Sequence, residues 1–294
     1  MDEPGPINES RPARLRRLLR TAVLTLVVGY PLLVLVACQI HSSVVFPAGV
    51  AGDHADVSPH AAAEVVAIET EAGEVAGWFV PAAGVSAGSP GPAVVFFHGN
   101  AERADAQGPI VQVYRSMGVS VLLAEYRGYA GRPGRMNEAA ATADTPRWFD
   151  LLAARDDVDA ERIVVHGRSI GGAVAGRLLG QCEPTAVVVE STPLSVSAMA
   201  WRFGLPGPLL PNRFRTDLAL AAYGGPTLIM HGRDDDLIPF SHGQRLAELA
   251  GGDVVFVAFD AKHNDMPRSQ EHGRYVEAIR ATLIDAGVID GGAD

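Results

Sequence analysis

Ser169, in Gly167-Arg168-Ser169-Ile170-Gly171, is the first residue of this 294-residue chain whose type and setting could do chemistry. A serine hydroxyl is a poor nucleophile until a base takes its proton and a carboxylate orients that base. The G-x-S-x-G spacing suits a sharp strand-to-helix turn that lifts the hydroxyl clear of a sheet, with glycines where a side chain would collide. With 32 glycines in the chain, the pattern alone is weak. Its context is stronger, because β-branched Ile163-Val164-Val165 leads in and Gly171-Gly172-Ala173 leads out.

The partners should lie on loops after later strands, in the order serine, acid, histidine. TLIMHGRDDDLIP runs into a loop bearing Asp234, Asp235 and Asp236, and DVVFVAFDAKHNDMP into one bearing His263. His263 is read as the base; the alternative is a solvated loop histidine. The other eight are less well placed. His41, His54 and His60 precede the body, His98, His166 and His231 abut glycines at strand ends, and His242 and His272 open or occupy helices. Asp235 is favoured as the acid and Asp234 is the alternative, since three consecutive aspartates also suit a solvated loop tip. The oxyanion donors would be the backbone N–H of Ile170, at a helix N-terminus, and that of Asn100 in His98-Gly99-Asn100-Ala101. The competing reading of that stretch is a plain strand-ending turn. This constellation fits acyl transfer from an ester or thioester through an acyl-enzyme, chemistry that requires neither a metal nor an organic cofactor.

The elements needed to position these groups can be read along the chain. EVVAIET (Glu64 to Thr70) and VAGWFVP (Val75 to Pro81) read as a hairpin. PAVVFFHG, a helical stretch near Ala104 to Met117 and VSVLLAEY form a strand–helix–strand unit. Helices are expected at Asn137 to Ala154, Ile170 to Gln181 and about Gln270 to Ala286, alternating with strands at RIVVHG, TAVVVES, TLIMHG and DVVFVAF. Continuous apolar strands alternating with helices predict an α/β fold with a mostly parallel central sheet covered on both faces. The domain occupies 64–288, and the Pro-rich, apolar stretch 192–225 is a small cap excursion over one end of the sheet. That excursion predicts a shallow, partly open site with an apolar wall, suited to short or medium acyl groups.

At 48% hydrophobic, a chain of this length can bury a full core. A net charge of −10 argues against a nucleic-acid partner, which calls for a basic face toward phosphates. Cys38 and Cys182 are the only cysteines, and no Cys/His spacing suggests zinc. The N-terminus is distinctive. Residues 1–20 are basic, with Arg11, Arg14, Arg16, Arg17 and Arg20, and an uncharged run from Thr21 to Cys38 follows. As a helix that run spans about 27 Å, close to the roughly 30 Å of a hydrocarbon core. Arginines before it and few cations just after predict a cytoplasmic N-terminus and a translocated body. Segment 21–40 is therefore a single-pass anchor or a signal segment. Leu35-Val36-Ala37-Cys38 resembles a lipobox, which would make Cys38 a lipidated N-terminus after cleavage. Residues 41–63, with Pro47, Gly49, Gly52 and Pro59, are expected to be a linker.

With these pieces in order, the chain resembles the α/β-hydrolases of the Bem46 type, relatives of the membrane-associated ABHD serine hydrolases. The resemblance rests on FFHGNA (Phe96 to Ala101), EYRGYAGRPG (Glu125 to Gly134), HGRSIGGAVA (His166 to Ala175), VVVESTPLSV (Val187 to Val196), IMHGRDDDLIPFSHG (Ile229 to Gly243) and KHND (Lys262 to Asp265). It implies a Ser169–His263–Asp235 triad and a membrane segment close before Val45-Phe46-Pro47. Ala130 departs from the pattern, standing where a second glycine usually follows Tyr-Arg-Gly-Tyr, so a local loop change is expected there. The resemblance fixes no substrate. Ser169 argues against the related dehalogenase and epoxide hydrolase chemistries, which use an aspartate as nucleophile. A peptidase of the prolyl-oligopeptidase type and a catalytically silent, membrane-tethered binding module are the rival readings.

Overall fold

The computed structural model describes residues 11–52, 57–202 and 204–291. Of the features read from sequence, His54, Phe203 and the first ten residues of the basic segment lie outside these. The chain begins as a run of helix made of α1 (Arg11–Leu24), one π-helical stretch (Thr25–Gly29) and α2 (Tyr30–Val45), followed by the short α3 (Ala48–Ala51). Next come β1 (Glu64–Thr70), β2 (Gly73–Val80) and β3 (Gly91–Phe97). Then α4 (Gly108–Ser116), β4 (Ser120–Ala124), α5 (Glu138–Ala153), β5 (Val158–Arg168) and α6 (Ile170–Ala175) alternate. The second half holds β6 (Ala186–Glu190), α7 (Val196–Trp201), α8 (Thr216–Ala222), β7 (Thr227–Gly232), α9 (Phe240–Leu249), β8 (Val254–Phe259) and α10 (His272–Asp285).

The eight strands form one sheet in the order β1-β2-β4-β3-β5-β6-β7-β8. The β1–β2 and β2–β4 pairings are antiparallel, and every other pairing is parallel. Alternation along β3 explains the layers. Ala93, Val95 and Phe97 pack with Trp148, Phe149 and Leu152 of α5, while Val94 and Phe96 pack with α4 and with Tyr275, Ile279 and Leu283 of α10. A strand buried on both faces has no polar side, and all seven residues of β3 are buried. Asn137 starts α5 by accepting the Ala140 N–H at 2.9 Å on its side chain.

Three expectations need correction. The helix foreseen near Ala104 to Met117 is split into a 3-10 turn, Ala104–Ala106, and α4, because Pro109 sits in the first turn of α4 and has no N–H to continue an earlier helix. The helix expected to reach Gln181 stops at Ala175, where Gly176 follows and Arg177 and Leu178 bond three residues back instead of four. The expected linker 41–63 is helical at its start. There α2 runs on to Val45, and Phe46 is buried in the core with its ring centroid 5.5 Å from that of Phe214. The proline and glycines of that stretch begin only at Pro47, so nothing before it breaks the helix.

Candidate active site

The parallel strands end together, and the loops that leave their carboxyl ends carry every candidate group. Ser169 follows β5 directly and holds φ 55 and ψ −124, a conformation that a non-glycine residue adopts only under constraint. The constraint is visible. The Ser169 N–H donates to the Glu190 carbonyl at 2.7 Å, and the Gly172 N–H donates to the Ser169 carbonyl at 3.1 Å. The turn is closed so tightly that a Cβ on Gly167 would lie 2.5 Å from the Gly172 Cα. One on Gly171 would run into the Phe97 and His98 carbonyls, so α6 presses against the end of β3.

Ser169 and His263 are both nearly inaccessible, at 9% and 4% exposed. The Ser169 Oγ lies 2.9 Å from His263 Nε2, and His263 Nδ1 lies 2.8 Å from Asp235 Oδ2. An ionised Asp235 can only accept, so Nδ1 must carry the ring proton and Nε2 is left to accept from the serine hydroxyl. The loop backbone fixes the acid, with the Leu237 and Ile238 N–H groups donating to Asp235 Oδ1 at 2.9 and 2.7 Å. Burial works against the Asp235 charge, but hydrogen bonds from His231 and His263 outweigh it and hold the carboxyl well below the usual range. Asp234 and Asp236 are exposed and stay outside this arrangement.

His231, which abuts a glycine at the end of β7, also meets the acid. Its Nε2 lies 3.3 Å from Asp235 Oδ2 and 3.0 Å from the Ile238 carbonyl. The only available signal was its spacing of four from Asp235 across a strand end. Glu125 is a second residue without a role in the sequence reading. Its carboxylate meets His98 Nε2 at 2.8 Å and accepts the Ala104 N–H at 3.0 Å, pinning both ends of the loop after β3. Burial opposes the charge on His98, and Glu125 more than restores it.

That loop runs beside Ser169, since Phe97 pairs with Gly167 in the β3–β5 register. Within it the Gly99 N–H is taken by Glu102 Oε2 at 2.8 Å, and Asn100 Oδ1 accepts from the Tyr129 hydroxyl at 3.0 Å. Ile170 opens α6, so its N–H is one of the first-turn donors that a helix leaves without an internal partner. Asn100, on the loop after β3, and Ile170, at the start of α6, thus belong to the two neighbouring segments beside the serine. A cavity of about 350 Å³ borders the same loops, lined by Glu102, Arg103, Gln107, Arg168, Asn264 and Arg268 among others.

Ala130 is buried at φ 48, in the left-handed region that glycine enters freely. The departure from the expected glycine thus appears as one constrained residue.

No family model matches the chain. It is 32% identical over 228 residues to the uncharacterized protein Rv2307c of Mycobacterium tuberculosis, an alignment that covers 76% of this chain and 80% of the relative. It is 30% identical over 192 residues to the alpha/beta hydrolase domain-containing protein WAV2 of Arabidopsis thaliana, covering 58% of this chain and 62% of that one. Among solved structures, the butyrate-bound thermophilic esterase Est2 of Thermogutta terrifontis superposes with a TM-score of 0.63 at 21% identity, covering 79% of this chain and 97% of the esterase. The chain has the α/β-hydrolase fold.

Proposed function

We propose that this protein is a membrane-anchored serine hydrolase that cleaves carboxylic esters or thioesters, close in type to the Bem46 hydrolases. The observation that carries the reading is His263 bridging Ser169 and Asp235 at 2.9 and 2.8 Å, with the serine on a constrained strand-to-helix turn. His263 takes the Ser169 proton as the oxygen attacks the acyl carbonyl, and Asp235 steadies the imidazolium that forms. The N–H groups of Ile170 and Asn100 receive the oxyanion. The tetrahedral adduct collapses as His263 protonates the departing alcohol or thiol. Water then gives a proton to His263 as it attacks the acyl carbon, and the acid leaves as His263 returns that proton to the Ser169 oxygen.

The anchor is the apolar helix, which is long and apolar enough to cross a membrane. An uncleaved anchor is favoured over lipidation at Cys38 because α2 continues through Cys38 to Val45 and leads directly into the buried Phe46. The domain built on this anchor runs from Glu64 to about Val288, with 192–225 as its cap.

A fluorophosphonate probe applied to the full chain in detergent tests the chemistry. Labelling that disappears in both Ser169→Ala and His263→Ala is expected. A folded protein that takes no label, or one labelled equally in Ser169→Ala, overturns the proposal.

A further inference from the structure

The excursion and the anchor helix touch. The Tyr30 hydroxyl donates to the Gly204 carbonyl at 3.1 Å, and the Cys38 thiol approaches the Leu209 carbonyl at 3.6 Å. Tyr30 and Cys38 are eight residues apart, about 12 Å along a helix, close to the roughly 15 Å depth of one hydrocarbon leaflet. If the helix crosses the bilayer, the stretch that touches it over this length cannot remain in water.

The composition of that stretch agrees. Trp201 is 57% and Leu209 65% exposed, with Leu205 and Pro208 between them, which is costly in water and favourable in lipid. Its lone ionisable group among the described residues, Arg202, turns its guanidinium away to the Leu237 carbonyl at 3.3 Å, on the loop of Asp235. Backbone polarity, the usual obstacle to burial in lipid, is largely absorbed. Pro206 and Pro208 have no N–H. The N–H groups of Arg202, Gly204, Leu205, Leu209 and Leu210 all donate to carbonyls of the same stretch or of α7. The contacts from Tyr30 and Cys38 serve two of the remaining carbonyls.

We propose that residues 201–210 form a shelf inserted in the non-cytoplasmic leaflet beside the second half of the anchor, through which a bilayer-resident acyl ester reaches Ser169. Insertion rests on the anchored topology, and the route for substrate rests in addition on the serine hydrolase reading. The shelf leaves the sheet after β6, at the same edge as Ser169, Asp235 and His263, and Arg202 ties it to the acid's loop.

The test uses the full chain reconstituted in phosphatidylcholine vesicles carrying brominated acyl chains, with tryptophan emission as readout and Trp201→Phe as the reference. Bromine-dependent quenching that is lost in Trp201→Phe is expected; the other two tryptophans, buried Trp148 and half-buried Trp78 on β2, remain in that reference and supply its background. Trp201 emission quenched by aqueous acrylamide but not by bromine overturns insertion. Emission indifferent to both overturns it as well, and points to a second copy covering the shelf. For the substrate route, Leu209→Asp should lower hydrolysis of a monoacylglycerol in vesicles by about tenfold or more, given the cost of an aspartate in lipid. Hydrolysis of dissolved p-nitrophenyl acetate should stay within about twofold, a surface-sized effect. Equal loss on both esters, or no loss on either, overturns the route. If the unaltered protein cleaves neither ester, the hydrolase reading fails while the quenching result on the shelf stands.

Discussion

Asp235 and Asp234 are neighbours with the same chemistry, and only the direction of the side chain separates them. The Leu237 and Ile238 N–H groups turn one carboxylate inward to His263, and its neighbour faces water. Asp235→Asn should therefore leave the imidazole in the wrong tautomer and lower kcat by about 10⁴-fold, whereas Asp234→Asn should stay within about twofold. Steady-state turnover of a chromogenic ester, measured on both variants at matched fold content, checks this. Protons follow the same logic. Asp235 and the buried Glu190 both ionise more readily in the fold than in the open chain. For Glu190 burial opposes this, and His166 and Arg168 outweigh it. A depressed carboxylate lends stability above its unfolded pKa, near 4, and that stability drains away as pH falls toward the folded value. Denaturant midpoints measured from pH 7 down to 3 should fall on acidification, and less steeply in Asp235→Asn.

At the scale of elements, the serine turn is possible only because two glycines let α6 lie against its surroundings. Gly171→Ala would drive a methyl into the Phe97 and His98 carbonyls, backbone that cannot rotate aside. A loss of about 2 kcal/mol or more is expected, at the upper part of the range for overpacking, read as a lower midpoint in urea. Ala130 offers the reverse case. Its left-handed backbone costs about 1 kcal/mol, which a glycine relieves, while the greater freedom of a glycine in the unfolded chain offsets part of that gain. Ala130→Gly should leave stability unchanged or raise it by up to about 1 kcal/mol in the same assay. Little change in midpoint is the expected result, and a clear drop would mean that the methyl packs usefully.

For the whole molecule, the proposed topology rests on five arginines that precede a helix whose most apolar stretch is not buried inside the protein. A phosphatase reporter fused after Asp294 and expressed in a bacterial host should be active, since that enzyme matures only outside the cytoplasm, and a cytoplasmic fluorescent reporter at the same point should be dark. Much of this protein is written in local patterns. The apolar N-terminal helix, the apolar β3 and the glycine-flanked serine all follow from spacings of a few residues, because backbone geometry and burial impose periods that a linear string displays. The order serine, acid, histidine is legible for the same reason, each group lying just past an apolar strand. Local patterns run out where contacts join distant parts of the chain. That Asp235 and not Asp234 meets His263, that His231 flanks it, that Glu125 pins the loop of Asn100, and that Gly204 and Leu209 lie against Tyr30 and Cys38 are set by packing. Such contacts depend on which side chains face each other once the sheet is assembled, and spacing along the chain carries no record of that.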